Sequence, residues 1–443
     1  MKSFCYFTLF TLLAAAPAGA DQGVTLSEAV HQALRNNHLL KAEQFSVQAA
    51  TAGRKGAQSR YLPRVTFEEA FSAANSPTRT FMMKLDQGRF RTEDFNNLNN
   101  PGVETDFRSA LSLEQTLYDP AIGYGVRSAA KEREIRESSL ALRREQVALE
   151  TVASHLMVHK AKAQLGVAEK GIAAAREHLR LAGVRVRAGT GLKSDELRAR
   201  TFLAELEEQV IRARNNLEIA RLRLGKAMGA PSGEAFDSSA DLRPLHLAAT
   251  PDELLRLATA HRSDLRQAAQ RREQAELGVG LARSASYPTL HAGAAFQLND
   301  RSVPFGGENN SWYAGVSLRW ELFDGMRRSR EQEKAGALQA EAAETLEQYR
   351  TEVAFQVAES RLRRDEAAQR VEVARAAVAD AEEGLRLVQK RFEGALATIV
   401  ELLDMQISVN RARAAVVDTD ADLVLATAQL AYNAGILIKE VAP

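Results

Sequence analysis

The stretch Trp312–Phe323 reads WYAGVSLRWELF and alternates between apolar side chains and small or polar ones. This period of two predicts a β-strand with one apolar face and one polar face. The same alternation occurs in three further stretches, Arg64–Ser72, Asp106–Leu117 and Leu290–Leu298. Each stretch has roughly the 9–12 residues with which a tilted strand crosses a lipid bilayer. The sequence therefore predicts four strands of membrane-spanning length.

Four strands are too few to close into a barrel by themselves. In lipid, an open sheet edge leaves unpaired backbone groups, and each of them costs several kcal/mol. The sheet must therefore pack against soluble structure or be completed by other chains. Trp312, Tyr313 and Trp320 belong to the residue types that are enriched at membrane interfaces. They favour a membrane sheet that several chains close together.

The segments outside the strands predict long helices. Apolar residues recur every seven positions within about Tyr124–Val184, at Ile135, Leu142, Leu149 and Leu156. This recurrence is typical of helices that coil around neighbouring helices. Roughly 60 helical residues extend over about 90 Å, which is longer than a globular domain requires. Shorter helices are predicted at Ser27–Arg60, Asp195–Met228, Asp252–Ser286 and Thr398–Asn433. The predicted fold class is mostly α with a small β part.

Two halves of the chain carry the same markers in the same order. Thr25–Val30 corresponds to Thr250–Leu255, and Leu117–Asp119 corresponds to Leu322–Asp324. Markers that match in order predict an internal duplication. The predicted repeats are residues 21–249, with a β-hairpin at about 64–117, and residues 250–443, with a β-hairpin at about 289–323.

The connection between the first two strands, near Asn75–Thr105, is longer than its counterpart near Asn299–Ser311. Both connections are polar and rich in Asn, Gly and Pro, which predicts loops. The extra residues of the first repeat therefore lie in its loop.

The N-terminus predicts export. Lys2, the apolar stretch Phe4–Ala16 and the small residues that end at Ala20 are typical of a cleavable signal peptide, residues 1–20. The alternative, a membrane anchor, needs about 20 apolar residues, and this stretch is shorter. Position 21 is Asp, where a lipid anchor would need Cys, so no lipid anchor is expected. The single cysteine, Cys5, lies in the signal, which excludes a disulfide framework and a cysteine metal site.

Composition and motifs argue against several functional classes. The 58 Lys and Arg against 57 Asp and Glu give a net charge of +1, which argues against a nucleic-acid partner. No glycine-rich phosphate loop follows a predicted strand. His155 and His159 stand four residues apart, as in some metal sites, but no third ligand is near them in sequence. We therefore expect no enzyme activity, no cofactor and no metal site.

The most informative motif is Arg391–Gly394 (RFEG), followed by Thr398–Asp404 (TIVELLD). With Thr25–Val30 (TLSEAV), Leu62-Pro63 and the duplicated Leu-aromatic-Asp, it makes the chain resemble the TolC family of outer-membrane efflux proteins. The resemblance covers the whole chain after the signal. It implies a homotrimer in which three four-stranded sheets close one 12-stranded outer-membrane β-barrel that continues into a long α-helical periplasmic barrel. The implied location is the outer membrane of a Gram-negative bacterium, in contact with its lipid.

The resemblance also implies a periplasmic entrance at the turns that end the long helices. Its acidic positions fall on Asp195, Glu401 and Asp404. The family closes this entrance with a Tyr and an Arg, and those positions hold Phe392 and Ala397 here. Both have lost the polar group, so the resemblance does not supply the family's hydrogen-bonded and salt-bridged lock here, and the sequence does not indicate whether the entrance rests open or closed.

Glu401 and Asp404 are three residues apart and share one helix face. Three-fold symmetry would turn each into a ring of three carboxylates, and such rings select cations. The alternative is ordinary exposed charge near a helix start, where the helix dipole favours acidic residues.

The glycines at the turns, Gly189, Gly191 and Gly394, mark the helix-turn tips that, by resemblance, dock a periplasmic adaptor (membrane fusion) protein. We therefore expect an exit duct of a tripartite efflux or type I secretion system, which passively conducts cargo from the adaptor and an inner-membrane RND or ABC transporter. The alternatives are a stand-alone outer-membrane pore and a soluble periplasmic coiled-coil scaffold. The sequence does not indicate the cargo.

Overall fold

A computed structural model describes residues 23–239, 247, 249–394 and 396–442. The predicted signal peptide, residues 1–20, lies outside the described residues. The helices in these ranges are α1 (Leu26–Asn36), α2 (His38–Ser59), α3 (Pro77–Asp86), α4 (Pro120–Arg187), α5 (Lys193–Met228), α6 (Pro251–His261), α7 (Ser263–Ser284), α8 (Arg327–Glu393), α9 (Ile399–Asn433) and α10 (Leu437–Val441). The strands are β1 (Arg64–Ala74), β2 (Glu104–Tyr118), β3 (Thr289–Asp300) and β4 (Asn309–Arg319). None of these helices combines the length and the apolar character that crossing a membrane requires.

The four predicted strands are confirmed, and they form one antiparallel sheet in the order β1-β2-β3-β4. Phe67, Leu111, Phe296 and Trp312 are direct partners across the four strands. Directly paired residues point to the same side of a sheet, so these four side chains form one row. Each is between 45% and 75% exposed. We call this side of the sheet the apolar face.

The opposite side carries polar residues. Ala70, Arg108, Asn299 and Asn309 are partners in a second row across all four strands. Each lies three positions from a member of the apolar row, and an odd separation places it on the other side of the strand. We call this side the polar face.

The last strand begins and ends earlier than its sequence pattern predicts. The alternation continues to Leu322, but β4 ends at Arg319, which pairs with Thr289 at the start of β3. Pro288 precedes Thr289 and has no N–H for a further ladder bond. Trp320 instead donates its indole N–H to the carbonyl of Ser286, at 3.2 Å.

Two helices that the sequence predicts to be continuous, Ser27–Arg60 and Asp252–Ser286, are each interrupted in the structure. Ser27–Arg60 contains a break at Asn37, which has ψ of 125° between α1 and α2. The Asn37 amide donates to the carbonyl of Ala227 at 3.1 Å and accepts from the N–H of Leu39 at 2.9 Å. These bonds replace helical ones, so the break is a contact point with the end of α5.

The matching break in Asp252–Ser286 lies at Arg262, which has ψ of 122°. Its guanidinium donates to the side-chain oxygen of Gln356 at 2.8 Å. Both breaks therefore occur where the side chain contacts another helix of the same unit.

The long loop after β1 is not the purely irregular connection that its composition predicts. It contains α3 and a short 3₁₀ helix, Thr92–Asn97. Pro77 at the first turn of α3 fits a helix start. Phe90 stacks edge-on against Phe81 and Phe95. These aromatic contacts form a small local core, which the mostly polar composition of the loop did not predict.

The chain divides into two compact units. The helical unit comprises the chain up to Lys41, Arg143–Arg262 and Val353–Pro443. The sheet unit comprises Ala42–Leu142 and Ser263–Glu352. Each unit contains segments of both predicted repeats.

Each unit has its own apolar packing. The main core of the helical unit joins side chains of α1, α4, α6, α8 and α9, among them Val30, Val152, Leu254, Val353 and Leu430. In the sheet unit, Leu265 and Ala268 of α7 pack with Leu346 of α8. Seven-residue spacing thus predicted helices that bury one stripe against several neighbours.

Candidate functional site

The first candidate docking turn, at the end of α4, is closed by backbone hydrogen bonds. The N–H groups of Thr190 and Gly191 donate to the carbonyl of Arg185 at 3.0 and 3.1 Å. Gly189 has φ of 74° and open space around it. A side chain at Gly191 would place its Cβ 2.8 Å from the Cβ of Arg185. The turn therefore requires glycine at position 191, because a side chain there would clash with Arg185. It favours glycine at position 189, because the backbone there is left-handed.

The second turn, between α8 and α9, is built differently. The N–H of Gly394 donates to the carbonyl of Lys390 at 3.1 Å, and that of Leu396 donates to Arg391 at 2.7 Å. A Cβ added at Gly394 would meet nothing closer than 3.6 Å. Gly394 is exposed, so this position accepts a side chain without disturbing the turn.

The two turns meet within the helical unit through Arg185 and Phe392. The Arg185 guanidinium lies 4.0 Å from the centre of the Phe392 ring. It also donates to the carbonyl of Phe392, and to that of Glu393 at 3.3 Å. A cation over an aromatic face is attracted by the ring quadrupole. Arg185 therefore joins the end of α4 to the end of α8.

Phe392 and Ala397, the positions assigned to the entrance lock, lie in one apolar cluster. Phe392 is buried against Ile399, Leu402 and Phe202, and Ala397 packs at the edge of the same cluster. Their side chains serve the packing of the helical unit in this structure. An apolar Phe fits this place because a buried hydroxyl would need its own partner.

Glu401 and Asp404 lie on the exposed side of α9, opposite the buried Leu402 and Leu403. Glu401 has a structural task, because its carboxylate accepts from the N–H and hydroxyl of Thr398 at 3.3 and 3.1 Å. In return, the hydroxyl of Thr398 accepts from the N–H of Glu401. This reciprocal pair is a capping box and fixes the start of α9. Asp404 has an exposed side chain on the same face.

The corresponding start of α5 lacks a side-chain cap. Asp195 is half-buried in the first turn, and Glu196 beside it pairs with Lys193 at 2.6 Å and Arg200 at 3.0 Å. The hydrogen bond from Lys193 is the largest cause that lowers the pKa of Glu196. The acidic candidates therefore lie at the starts of two helices of the helical unit, Asp195 on α5 and Glu401 with Asp404 on α9. Only the start of α9 has a side-chain cap.

His155 has a packing role. It is fully buried, and its Nε2 lies 2.9 Å from the carbonyl oxygen of Val24. Burial lowers its pKa, so the neutral ring is favoured. Among the described residues, no group of three or more His, Cys, Asp or Glu side chains is arranged to hold a metal ion.

Sequence reasoning missed Arg185. Its partners Phe392 and Glu393 are more than 200 positions away in sequence, and no motif includes it. The only signal was its place one turn before a glycine-rich helix end.

Known proteins are similar to this chain over nearly its whole length. The family model described as "Outer membrane efflux protein" matches residues 29–230 and 254–435. The chain is similar to the outer membrane efflux protein BepC of Brucella suis biovar 1, with 23% identity over 425 residues, 93% of this chain and 85% of BepC.

Solved structures show the same fold. A membrane protein from Pseudomonas aeruginosa has 20% identity and a TM-score of 0.79, covering 97% of this chain and 100% of that one. The CmeC outer membrane channel of Campylobacter jejuni has 16% identity and a TM-score of 0.77, covering 93% and 86%.

Proposed function

Because this chain belongs to the outer membrane efflux protein family, we propose that it is the exit duct of a tripartite efflux or type I secretion system. In this proposal it is a homotrimer of duplicated chains, with repeats at residues 21–249 and 250–443. It conducts cargo passively from a periplasmic adaptor and an inner-membrane RND or ABC transporter to the exterior. The inner-membrane partner supplies the energy.

The observation that carries the proposal is the exposed apolar face of an open sheet. Four large side chains, Phe67, Leu111, Phe296 and Trp312, line up across all four strands and remain exposed. Exposed apolar patches of this kind mark contacts with lipid or protein. Three copies of the sheet would pair their free edges into a 12-stranded barrel, and the apolar face would then meet lipid.

We also propose that Asp195, Glu401 and Asp404 contribute to the periplasmic entrance. The exposed carboxylate of Asp404 and the neighbouring Glu401 support a cation-concentrating ring in the trimer. The double variant Glu401→Gln with Asp404→Asn keeps the capping hydrogen bonds largely possible while removing both charges. We expect its preference for cations over anions to fall, as measured by reversal potential in a planar bilayer under a salt gradient.

The matched control is Glu372→Gln, which removes an exposed carboxylate from the middle of α8. It should leave the reversal potential unchanged. Equal selectivity in the wild-type protein and the double variant would reject the ring.

The adaptor is expected to dock at Gly189, Gly191 and Gly394. Gly394 is the best probe because its exposed position accepts a side chain, whereas Gly191 does not. A photo-reactive residue at position 394 should capture the adaptor in cells, identified by mass spectrometry. An adaptor of a proton-driven pump would mean efflux of small molecules or metals, and one of an ATP-driven exporter would mean secretion of proteins or peptides.

The control places the same photo-reactive residue at exposed Gly102, in the connection between β1 and β2, where no adaptor capture is expected. If cells that export normally yield no adaptor from position 394, the chain is a stand-alone pore. Absence of the protein from the outer-membrane fraction would instead favour a soluble scaffold.

A further inference from the structure

Helix α3 lies on the polar face of the sheet. Gln87, directly after the helix, donates its side-chain N–H to the carbonyl of Thr105 and to the carboxylate of Asp106, both at 2.8 Å. Asp106 is two positions from Arg108 and therefore on the polar face. It also accepts from the Asn299 amide at 2.9 Å. Gln87, Asp106 and Asn299 are all buried.

The helix crosses the sheet from one edge strand to the other. Near its start, the Thr80 hydroxyl donates to the carbonyl of Ala74 at the end of β1, at 3.2 Å. Near its end, the Asn309 amide of β4 donates to the carbonyl of Asp86 at 2.9 Å. A ten-residue helix is about 15 Å long, and four strands span about 14 Å between their axes. The length of α3 thus matches the width of the sheet.

A charged cluster anchors the segment that follows α3. Lys84 pairs with Asp94 at 2.8 Å and with Glu104 at 3.4 Å. Glu104 also lies within 3.7 Å of the Arg89 and Arg301 guanidinium groups. Partly buried ion pairs that form a network hold geometry better than single exposed pairs. The segment therefore has a fixed position over the polar face.

The other connection at this end of the sheet lies on the opposite side. Phe305, between β3 and β4, stacks on Phe67 with ring centres 6.1 Å apart, and its N–H donates to the carboxylate of Glu69 at 3.3 Å. Phe67 and Glu69 are two positions apart on the apolar face. The two loops of the same sheet end thus cover different faces.

We infer that α3 is an internal constriction that sets the size limit at the external mouth of the channel. This inference rests on the proposed function, which turns the apolar face to lipid and hence the polar face to the lumen. The helices α2, α4, α7 and α8 adjoin the other end of the sheet, so α3 lies at the end away from them. In a trimer, three copies of α3 project into the same opening, and the exposed Met82 and Leu85 line it.

The decisive variant replaces residues 75–103 with Asn-Gly. Ala74 and Glu104 are direct partners in the ladder, and a two-residue Asn-Gly turn closes such a hairpin. Removal of α3 should raise the single-channel conductance about twofold or more and admit larger polyethylene glycols, because both depend on pore diameter. Both are measured on the purified full-length protein in planar bilayers.

The matched control shortens the other loop by replacing residues 302–306 with Asn-Gly, which keeps the register of the Asn299–Asn309 pair. Because that loop covers the apolar face, the channel formed by this variant should have the wild-type conductance and the wild-type size limit for polyethylene glycols. A point variant, Gln87→Ala, should loosen α3 and give a noisier, larger conductance, whereas Thr78→Ala at an exposed position of α3 should not.

The outcomes separate this inference from the proposed function. A wild-type protein that forms no channel contradicts the proposed function. A wild-type channel whose conductance and polymer limit are unchanged by loss of residues 75–103 overturns the constriction. The Gln87→Ala variant keeps the test decisive if the large replacement does not assemble, since equal conductance in Gln87→Ala and Thr78→Ala would also overturn it.

Discussion

Phe296→Arg is expected to reduce assembled protein in the outer membrane to a small fraction of the wild-type amount. Phe296 lies on the third strand, in the row that Phe67, Leu111 and Trp312 complete. An arginine that faces lipid costs about 2–4 kcal/mol at the bilayer midplane and about 0–1 kcal/mol near the interfaces. Phe296 pairs with Trp312 towards the loop end of the sheet, so the cost per chain lies between these values, and a trimer carries it three times. The measurement is the amount of heat-stable oligomer in isolated outer membranes.

The neighbouring Gln297→Arg is the matched control. Its side chain lies on the polar face, where Gln297 bonds to Asn299 at 2.6 Å. The same charge on that face should leave assembly close to normal, because lumen-facing positions tolerate polar groups. Equal assembly of the two variants would contradict a lipid-facing apolar side and, with it, the barrel.

Gly229→Ala is expected to lower the unfolding temperature strongly. Gly229 ends α5 with φ of 73°, and a Cβ there would lie 2.7 Å from the backbone carbon of Asn36. The contact is with backbone at the break between α1 and α2, so no side chain can move to relieve it. We expect a loss of about 2 kcal/mol or more beyond the cost of the left-handed conformation. Thermal unfolding of the detergent-purified protein, followed by circular dichroism, checks it.

Gly233→Ala separates the cost of the left-handed conformation from the cost of the steric clash. Gly233 has φ of 90°, and nothing lies within 4 Å of an added Cβ. This variant carries conformational strain alone, about 1–2 kcal/mol. Similar unfolding temperatures for the two alanine variants would show that the close approach at Asn36 does not govern stability.

Local patterns predicted the elements of this chain well where one period dominated. The period of two in Leu290–Leu298 and Arg64–Ser72 located strands whose observed bounds differ by one or two residues. The predicted helix Thr398–Asn433 matches α9, whose start is fixed by a capping box between residues three apart. Such features depend on neighbours in sequence, so the sequence contains them completely.

Contacts between distant residues changed several expectations. Asn37 and Arg262 interrupt helices because their side chains bind Ala227 and Gln356, far away in sequence. Likewise, Phe392 lies under Arg185 in a buried cluster, a position that its motif did not reveal. No local pattern encodes these contacts.

The sequence by itself determined the fold class, the four strands, the long helices and the family resemblance, since each rests on periodicity or on a contiguous motif. Only the tertiary structure decided which face of the sheet each loop covers. Residues 75–103 and 301–308 are both polar connections in sequence, and the bonds of Gln87 and the stacking of Phe305 place them on opposite faces. The physical reason is that a loop's side of the sheet depends on partners in other strands, which local periodicity does not specify.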